Sequence, residues 1–243
     1  MRANLELARE KYRRHAAYYD RVAAPALGAA FQREAVALLR LEAGDVVVDV
    51  GCGTGSNFPF IESAIGETGR LMGIDLSPEM LEQARARAAA KGWTNVTLIN
   101  TSAEEAHIGE EADALLFSFT HDVLQSPRAL RNIFRHAKRG ARVAACGIKW
   151  APWWSFPLNY FVWQLASQYQ TTYEGLSRPW ARLADFVPDL DVRLRAFGTV
   201  YVASGAAPGA GELVARTAQQ GAPLGCGARP PAGERSCWGG MLR

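Results

Sequence analysis

The sequence predicts an α/β fold in which a mostly parallel sheet ends in an antiparallel hairpin. Three observations support this prediction. Val46–Val50 is a short β-branched run without polar alternation, which is typical of a strand covered on both faces. From there strand-like and helix-like segments alternate, as in a parallel sheet with right-handed crossovers. Near the end, residues 191–196 and 199–204 predict two strands joined at Phe197-Gly198, which is a hairpin pattern.

The remaining elements follow in order from local patterns. Residues 3–21 predict an amphipathic helix, and residues 29–40 predict a second one. Further strands are expected near 70–75, 96–100, 112–118 and 141–147, with helices near 57–64, 78–91 and 127–138. Ser77 is suited to cap its helix, and Pro78 is suited to the first turn. The predicted organisation is a helical cap over 1–45, the main domain over 46–205 with an insert at 150–175, and a tail over 206–243.

The tail differs from the domain in composition. Residues 206–243 contain eight Gly, eight Ala and four Pro, and their few apolar side chains show no period. A segment of this kind has little to bury, so we expect it to be disordered or poorly packed.

Composition and charge exclude several classes of protein. The net charge of +3 does not indicate nucleic-acid binding. The four cysteines form no CxxC pair, so no metal site is predicted. No N-terminal apolar run predicts a signal peptide, and the most apolar region, 150–166, is too interrupted to span a bilayer. We expect a cytoplasmic protein that at most contacts the surface of an anionic membrane. The oligomeric state stays open.

Three glycines, at positions 51, 53 and 55, follow the first predicted strand. A turn this tight needs residues without a Cβ, both for its backbone angles and for close approach of a ligand. The GxGxG spacing differs from the GxGxxG of dinucleotide sites, in which a helix N-terminus faces a pyrophosphate. S-adenosylmethionine has no phosphate but carries an ammonium group, which Asp49 is placed to hold. Asp75, twenty residues after Gly55, is placed to accept the ribose hydroxyls.

Residues 46–55 and 70–91 resemble the class I S-adenosylmethionine-dependent methyltransferases, and the similarity extends over residues 10–205 through the segment HDVLQSP. The resemblance implies a Rossmann-like sheet of seven strands, six parallel and the seventh antiparallel, with helices on both faces. It also implies S-adenosyl-L-methionine as cofactor and S-adenosyl-L-homocysteine as product. Within the class, the segment Tyr18-Tyr19-Asp20 and the general layout resemble the ubiquinone/menaquinone C-methyltransferase branch. That branch also contains bacterial phospholipid N-methyltransferases.

The resemblance also implies roles for individual residues around the cofactor. Asp49 would lie near its amino-acid end and Asp75 on its ribose. Where the family usually has an acid, a small residue and Glu, this chain has Ser102, Ala103 and Glu104, so the Ala103 backbone would contact the adenine. The full predicted cofactor set is Asp49, Gly51, Cys52, Gly53, Gly55, Asp75, Leu76, Met80, Ser102, Ala103, Phe117 and Tyr19.

The acceptor side is predicted from an aromatic segment. Residues 150–163 contain four of the seven tryptophans, and in this fold they lie over the cofactor pocket. They could line an apolar pocket, dip into a membrane interface or form a lid helix packed on the core. The basic N-terminal helix could bind anionic headgroups or simply close over the cofactor. Candidate acceptor-site residues are Tyr18, Trp154, Tyr160, Tyr169, Tyr173 and Arg178.

His121 is the predicted catalytic residue. Much of methyl-transfer catalysis can come from proximity and orientation, but a carbon acceptor needs a neighbouring phenolate and hence a general base. His121 follows the fourth strand with Asp122 beside it; the alternative is a surface histidine flanking a helix.

The predicted function is methyl transfer to a hydrophobic small molecule or lipid, with two acceptor classes left open: an amine headgroup and an aromatic ring. The alternatives are C- or O-methylation of a quinol-like or secondary-metabolite ring, or a non-catalytic S-adenosylmethionine-binding protein.

Overall fold

A computed structural model of the chain describes residues 26–152, 154–169 and 172–208. Its first half contains α1 (Ala26–Leu38), β1 (Val46–Val50), α2 (Phe58–Ile65), β2 (Arg70–Asp75), α3 (Pro78–Lys91) and β3 (Val96–Asn100). Its second half contains β4 (Ala112–Ser118), α4 (His121–Leu124), α5 (Pro127–Phe134), β5 (Ala137–Ile148), α6 (Phe156–Tyr169), β6 (Asp191–Arg195) and β7 (Val200–Ala206). The predicted helix 3–21 lies outside the described residues, as does the predicted tail beyond residue 208.

The strands form one seven-stranded sheet in the order β3-β2-β1-β4-β5-β7-β6. The first five pair in parallel, and β7 pairs antiparallel with both β5 and β6. Val48 lies opposite Met72 of β2 and Leu115 of β4, so the centre of the sheet is apolar on both sides of β1. The predicted α/β class, with its parallel sheet and closing hairpin, is confirmed.

Helix α3 begins and ends where the sequence predicted. The Ser77 hydroxyl accepts a hydrogen bond from the backbone N–H of Met80 at 3.2 Å, and Pro78 occupies the first turn. Gly92 ends the helix in the left-handed region, with φ +69°. These caps satisfy backbone groups that the helix itself leaves unpaired, so the boundary is encoded locally.

The boundary between α5 and β5 differs from the prediction. Residues 135–138 were expected to be helical, but α5 ends at Phe134 and β5 begins at Ala137. Ala137 pairs with Ala112, and the register shifts between Ala112 and Ala114. Lys138 also forms an ion pair with Asp113 at 2.7 Å. Pairing with β4 therefore overrides the local helical pattern.

The core lies between the sheet and its helices. Phe58, Ile61 and Ile65 of α2 are fully buried and pack with Leu71 of β2. Burial of these side chains removes apolar surface from water and fixes α2 directly behind the loop that leaves β1. Among the described residues, no helix is long and apolar enough to cross a membrane.

Candidate functional site

The loop that leaves β1 turns sharply at Gly51. The backbone N–H groups of Gly51 and Cys52 both donate to the carbonyl of Ile74, at 2.7 and 3.0 Å, which ties the loop to the end of β2. Gly51 has φ +69°, and a Cβ there would lie 2.4 Å from Cγ2 of Thr120. Both its backbone angle and this contact therefore require glycine. Gly53 has φ +55° but no atom within 4 Å of a Cβ position, so its outer side faces open space.

Asp75 links this loop to α3. Its Oδ2 accepts a hydrogen bond from the N–H of Gly53 at 2.9 Å, and its Oδ1 accepts one from the N–H of Ser77 at 2.8 Å. Burial raises the pKa of Asp75, while the hydrogen bonds from Ser77 and Gly53 oppose that rise. The two bonds hold the carboxylate in one orientation at the carboxyl end of β2.

Asp49 is the penultimate residue of β1 and is fully buried. Its carboxylate accepts hydrogen bonds from Nδ2 of Asn57, at 3.0 and 3.3 Å. Burial raises the pKa of Asp49 to about 7; the bond from Asn57 lowers it, and the neighbouring Asp75 raises it further. A cation placed near Asp49 would lower this pKa again, so the position is suited to a positively charged ligand group.

A cavity of about 150 Å³ opens at the carboxyl ends of the central strands. Seven residues of the predicted cofactor set line it: Gly51, Gly53, Asp75, Leu76, Met80, Ser102 and Ala103. Asp49, Cys52, Gly55 and Phe117 of that set are buried beneath the same loops and do not line it. Tyr18 and Tyr19 lie outside the described residues. The cavity therefore brings together predicted residues that follow β1, β2 and β3, and their contact with a cofactor stays a prediction.

The lining also includes carboxylates that sequence reasoning did not assign to the cavity. Glu104 and Asp122 join Asp75, whereas none of the described lining residues is Lys, Arg or His. Oε1 of Glu104 accepts a hydrogen bond from the hydroxyl of Ser126 at 2.7 Å, and Ser126 also caps α5 through the N–H of Ala129. The sequence offered one signal for this arrangement. The Ser-Pro pair at 126–127 repeats the helix-cap signature of Ser77-Pro78 and so indicates where α5 begins. The lining is negatively charged and suits a cationic ligand.

The segment between β4 and α4 is strained. Phe119 has φ +56°, unusual for a bulky residue, and its N–H donates to the carbonyl of Cys146 at 2.8 Å. This conformation places Thr120 against Gly51. The Thr120 hydroxyl is buried and has no hydrogen-bond partner within the described part of the chain, although Thr120 lines the cavity.

His121 faces a different part of the molecule. Its Nε2 lies 2.9 Å from the carbonyl oxygen of Glu174, and His121 is not among the described residues that line the cavity. Because a carbonyl only accepts hydrogen bonds, Nε2 carries the proton. Burial lowers the pKa of His121, which favours the neutral ring. The general-base role stays a prediction.

The predicted acceptor residues that the structure describes lie just before α6, on it or after it. Inward, Val162 and Ala166 pack with Leu176 and against Ile148 and Trp150. Outward, Trp154 and Tyr160 are exposed, and Tyr173 stacks on Trp150 with ring centroids 6.2 Å apart. Arg178 is exposed, and the side chain of Tyr169 lies outside the described part of the structure. None of the described candidates lines the cavity around Asp75.

Comparisons with known proteins place this architecture in a family. Residues 47–140 match the model of a methyltransferase domain. The demethylmenaquinone methyltransferase of Tropheryma whipplei (strain Twist) is 32% identical over 168 residues, covering 65% of this chain and 68% of that protein. The aklanonic acid methyltransferase DauC of Streptomyces sp. (strain C5) is 33% identical over 105 residues, covering 42% of this chain and 47% of that protein.

Solved structures show the same fold. A S-adenosylmethionine-dependent O-methyltransferase from Thermotoga maritima aligns with a TM-score of 0.53 and 16% identity, covering 73% of this chain and 64% of that one. The chain spans about half the length of some of the relatives it matches. The chain belongs to the class I S-adenosylmethionine-dependent methyltransferases, enzymes whose cofactor is S-adenosyl-L-methionine.

The residues of the cavity fit this cofactor. The loop at Gly53 leaves room beside the backbone, Asp75 presents a fixed carboxylate, and the lining has negative charge for a sulfonium cation. Asp49 adds a buried acid with a pKa of about 7 whose charged form a nearby cation would stabilise.

Proposed function

We propose that this chain transfers the methyl group of S-adenosyl-L-methionine to a hydrophobic small molecule, with a quinol-like ring as the first acceptor class to test. The observation that carries the proposal is the pairing of the negatively charged cavity at the strand ends with the aromatic segment that follows β5. That segment contains no Asp, Glu, Lys or Arg from residue 150 to residue 173. An uncharged aromatic surface suits an apolar acceptor better than an anionic or strongly polar one.

The chemistry divides between the cofactor and the chain. Bound S-adenosyl-L-methionine supplies a methyl group activated by the sulfonium. The chain supplies the orientation, since Asp75 and the Gly51–Gly53 backbone fix one side of the cavity. Asp122 lines the cavity beyond β4, where its carboxylate would stabilise positive charge and could receive a proton from an acceptor. We propose Asp122 as the first proton acceptor to test, alongside the predicted His121.

The names of two relatives support a hydrophobic acceptor. They refer to demethylmenaquinone and to aklanonic acid.

A labelled-methyl assay tests the proposal. The chain is incubated with methyl-labelled S-adenosyl-L-methionine and either a reduced naphthoquinone or phosphatidylethanolamine vesicles, and products are identified by mass. We expect label in the quinol and none in the lipid. Transfer of the label to phosphatidylethanolamine alone would contradict a quinol-like acceptor and indicate an amine acceptor. Cofactor binding in calorimetry without transfer to either probe or to a cell extract would support a non-catalytic binding protein.

Asp122→Asn gives the matching mutational test. If Asp122 acts at the reacting end, this variant loses about 10²-fold or more in turnover at saturating cofactor, because general acid–base groups contribute on that scale. Glu82→Gln, which removes an exposed carboxylate from α3, serves as the control. Full activity of Asp122→Asn would remove this role.

Contact with a membrane surface is the second candidate property, and the exposed aromatics favour it. Trp154 is 71% exposed and Phe156 is 75% exposed at the start of α6. Flotation with anionic vesicles, using the full chain, a chain without residues 1–21 and a Trp154→Ser/Phe156→Ser variant, tests it. Equal recovery of all three in the unbound fraction would exclude the membrane-bound version.

A further inference from the structure

Residues 172–180, which follow α6, are held against α4 by two side chains. His121 Nε2 donates to the carbonyl oxygen of Glu174 at 2.9 Å, and Gln125 Nε2 donates to that of Pro179 at 3.1 Å. His121 and Gln125 are one helical turn apart, so they share a face. Between the two contacts the chain turns at Gly175, whose φ is +74°. A Cβ at Gly175 would lie 2.4 Å from Oε1 of Gln125, so glycine allows this close approach.

The other side of the same short helix belongs to the cavity. Asp122 and Val123 line it, and so does Ser126 just after the helix. One turn of chain therefore carries cavity residues on one face and the donors to residues 172–180 on the other.

Residues 172–180 connect in turn to the aromatic segment. Leu176 packs with Val162 and Ala166 of α6, and its carbonyl accepts a hydrogen bond from the N–H of Trp150 at 3.0 Å. Tyr173 stacks on the Trp150 ring. The position of α6 therefore depends on where residues 172–180 are held.

We propose that His121 and Gln125 form a latch that sets the position of residues 172–180, and through them the acceptor side, relative to the cofactor cavity. The effect of the latch on catalysis rests on the proposed function. The latch itself rests only on the contacts of His121 and Gln125 with residues 172–180. In this role His121 is a positioning residue that acts through its Nε2–H.

The state of the imidazole agrees with such a role. Its Nε2–H is committed to a carbonyl, and its Nδ1 is buried without a partner among the described residues. The neighbouring Asp122 opposes the lowering of the His121 pKa by burial, and the side chain of Glu174 pairs with Arg182 at 3.9 Å. A neutral ring fulfils every contact that the structure shows, whereas a second N–H would be buried without an acceptor.

Three variants separate the latch from general-base catalysis. His121→Gln retains an N–H donor at a similar reach but has no basic lone pair, His121→Ala removes the donor, and Gln125→Leu removes the second donor. Thr94→Ala, exposed in the loop before β3, is the control. The readouts are hydrogen exchange of the amides in 172–180, the KM for a reduced naphthoquinone, kcat with its pH profile, and cofactor affinity by calorimetry.

For a latch, His121→Ala and Gln125→Leu speed exchange in 172–180 and raise KM about fivefold each, the scale of one neutral hydrogen bond. Cofactor affinity stays within about twofold, and His121→Gln restores both readouts with a wild-type pH profile. Loss of turnover in His121→Gln with wild-type exchange would assign the general base instead and overturn the proposal. Unchanged exchange in Gln125→Leu would also overturn it.

Hydrogen exchange in residues 172–180 distinguishes failure of the latch from failure of the proposed methyl transfer. It requires no acceptor and no turnover, so it tests the latch even if the wild-type chain methylates nothing. Absence of methyl transfer by the wild type, with exchange responding as expected, would contradict the proposed function and leave the latch standing as a structural device.

Discussion

The cavity at the strand ends and the aromatic region proposed for the acceptor are held by different kinds of interaction. At the cavity, backbone groups at the ends of adjacent parallel strands bond directly to one another and to Asp75. In the aromatic region, α6 buries Val162 and Ala166 and leaves Phe156 and Tyr160 exposed, and Trp154 just before the helix is exposed as well. Residues 172–180, against which α6 packs through Leu176, are held by side-chain contacts over long sequence separations, such as that of His121 with Glu174. The first region is fixed by the sheet, and the second by a few separable contacts.

The largest effect on stability is expected from a substitution at Gly51, in the loop that borders the cavity. Gly51→Ala combines a left-handed φ with a Cβ 2.4 Å from Thr120. We expect a loss of about 3 kcal/mol in the free energy of unfolding, from the left-handed backbone and overpacking together. Urea denaturation measures it. Gly53→Ala has the same backbone cost without the clash, so its loss should be about 1–2 kcal/mol. Equal losses in both variants would show that the contact with Thr120 is unimportant.

The next effect concerns the carboxylate that fixes the loop. Asp75→Asn removes the charge and leaves one of the two N–H donors, of Gly53 or Ser77, without its acceptor. Cofactor affinity should fall by about 1.5–3 kcal/mol, the scale of a charge-assisted hydrogen bond. Titration calorimetry provides the measurement. Asp191→Asn, at an exposed carboxylate of β6, should bind like the wild type; unchanged affinity in Asp75→Asn would argue against a ligand contact there.

A smaller, pH-dependent effect is expected at Asp49. Burial raises its pKa to about 7 from an ordinary value of 3.8. Between these values the native state holds a proton that the unfolded chain releases, so the free energy of unfolding falls as pH rises from about 4 to about 7. Asp49→Asn should lose this part of the slope and exceed the wild type in stability above pH 7. Its amide could also pair with the unpartnered Oδ1 of Asn57.

Denaturation at pH 5 and pH 8 checks this expectation. The same variant should bind the cofactor more weakly, because a neutral amide does not stabilise a cation. A variant that keeps the wild-type difference in stability between pH 5 and pH 8 would mean that Asp49 is not the source of the pH dependence.

The smallest effect is expected at the hairpin between β6 and β7, outside both regions. Phe197 has φ +55° and is 90% exposed, so its ring contributes little packing while its backbone is strained. Phe197→Gly should therefore raise the free energy of unfolding by about 0.5–1 kcal/mol, since glycine adopts this φ without cost. Phe197→Ala keeps the strain and should stay within about 0.5 kcal/mol of the wild type. A thermal-melt series with both variants decides the point; destabilisation by glycine would reveal packing of the ring.

The same contrast explains what the sequence could predict. The strands, the caps of α3, the three glycines and Asp75 depend on local backbone requirements, and the structure has them where the pattern indicated. The start of β5 at Ala137 was wrong in the prediction because pairing with β4 decides it. Glu104 and Asp122 in the cavity lining, and the contact between His121 and Glu174, arise from segments brought together only by the fold.

The strand order has a consequence for how such a chain can diversify. In the order β3-β2-β1-β4-β5-β7-β6, β1 and β4 are neighbours, and successive strands are added outward from them in opposite directions. The strand order therefore reverses direction between β1 and β4, and the connections after these two strands run to opposite sides. A crevice opens between them at this topological switch point. Residues from both sides of the switch point line the cavity, since Gly53 and Leu76 follow β1 and β2 whereas Thr120 and Asp122 follow β4. The aromatic segment follows β5, and none of its described residues lines the cavity. Substitutions there would therefore change the proposed acceptor side without altering the cavity lining.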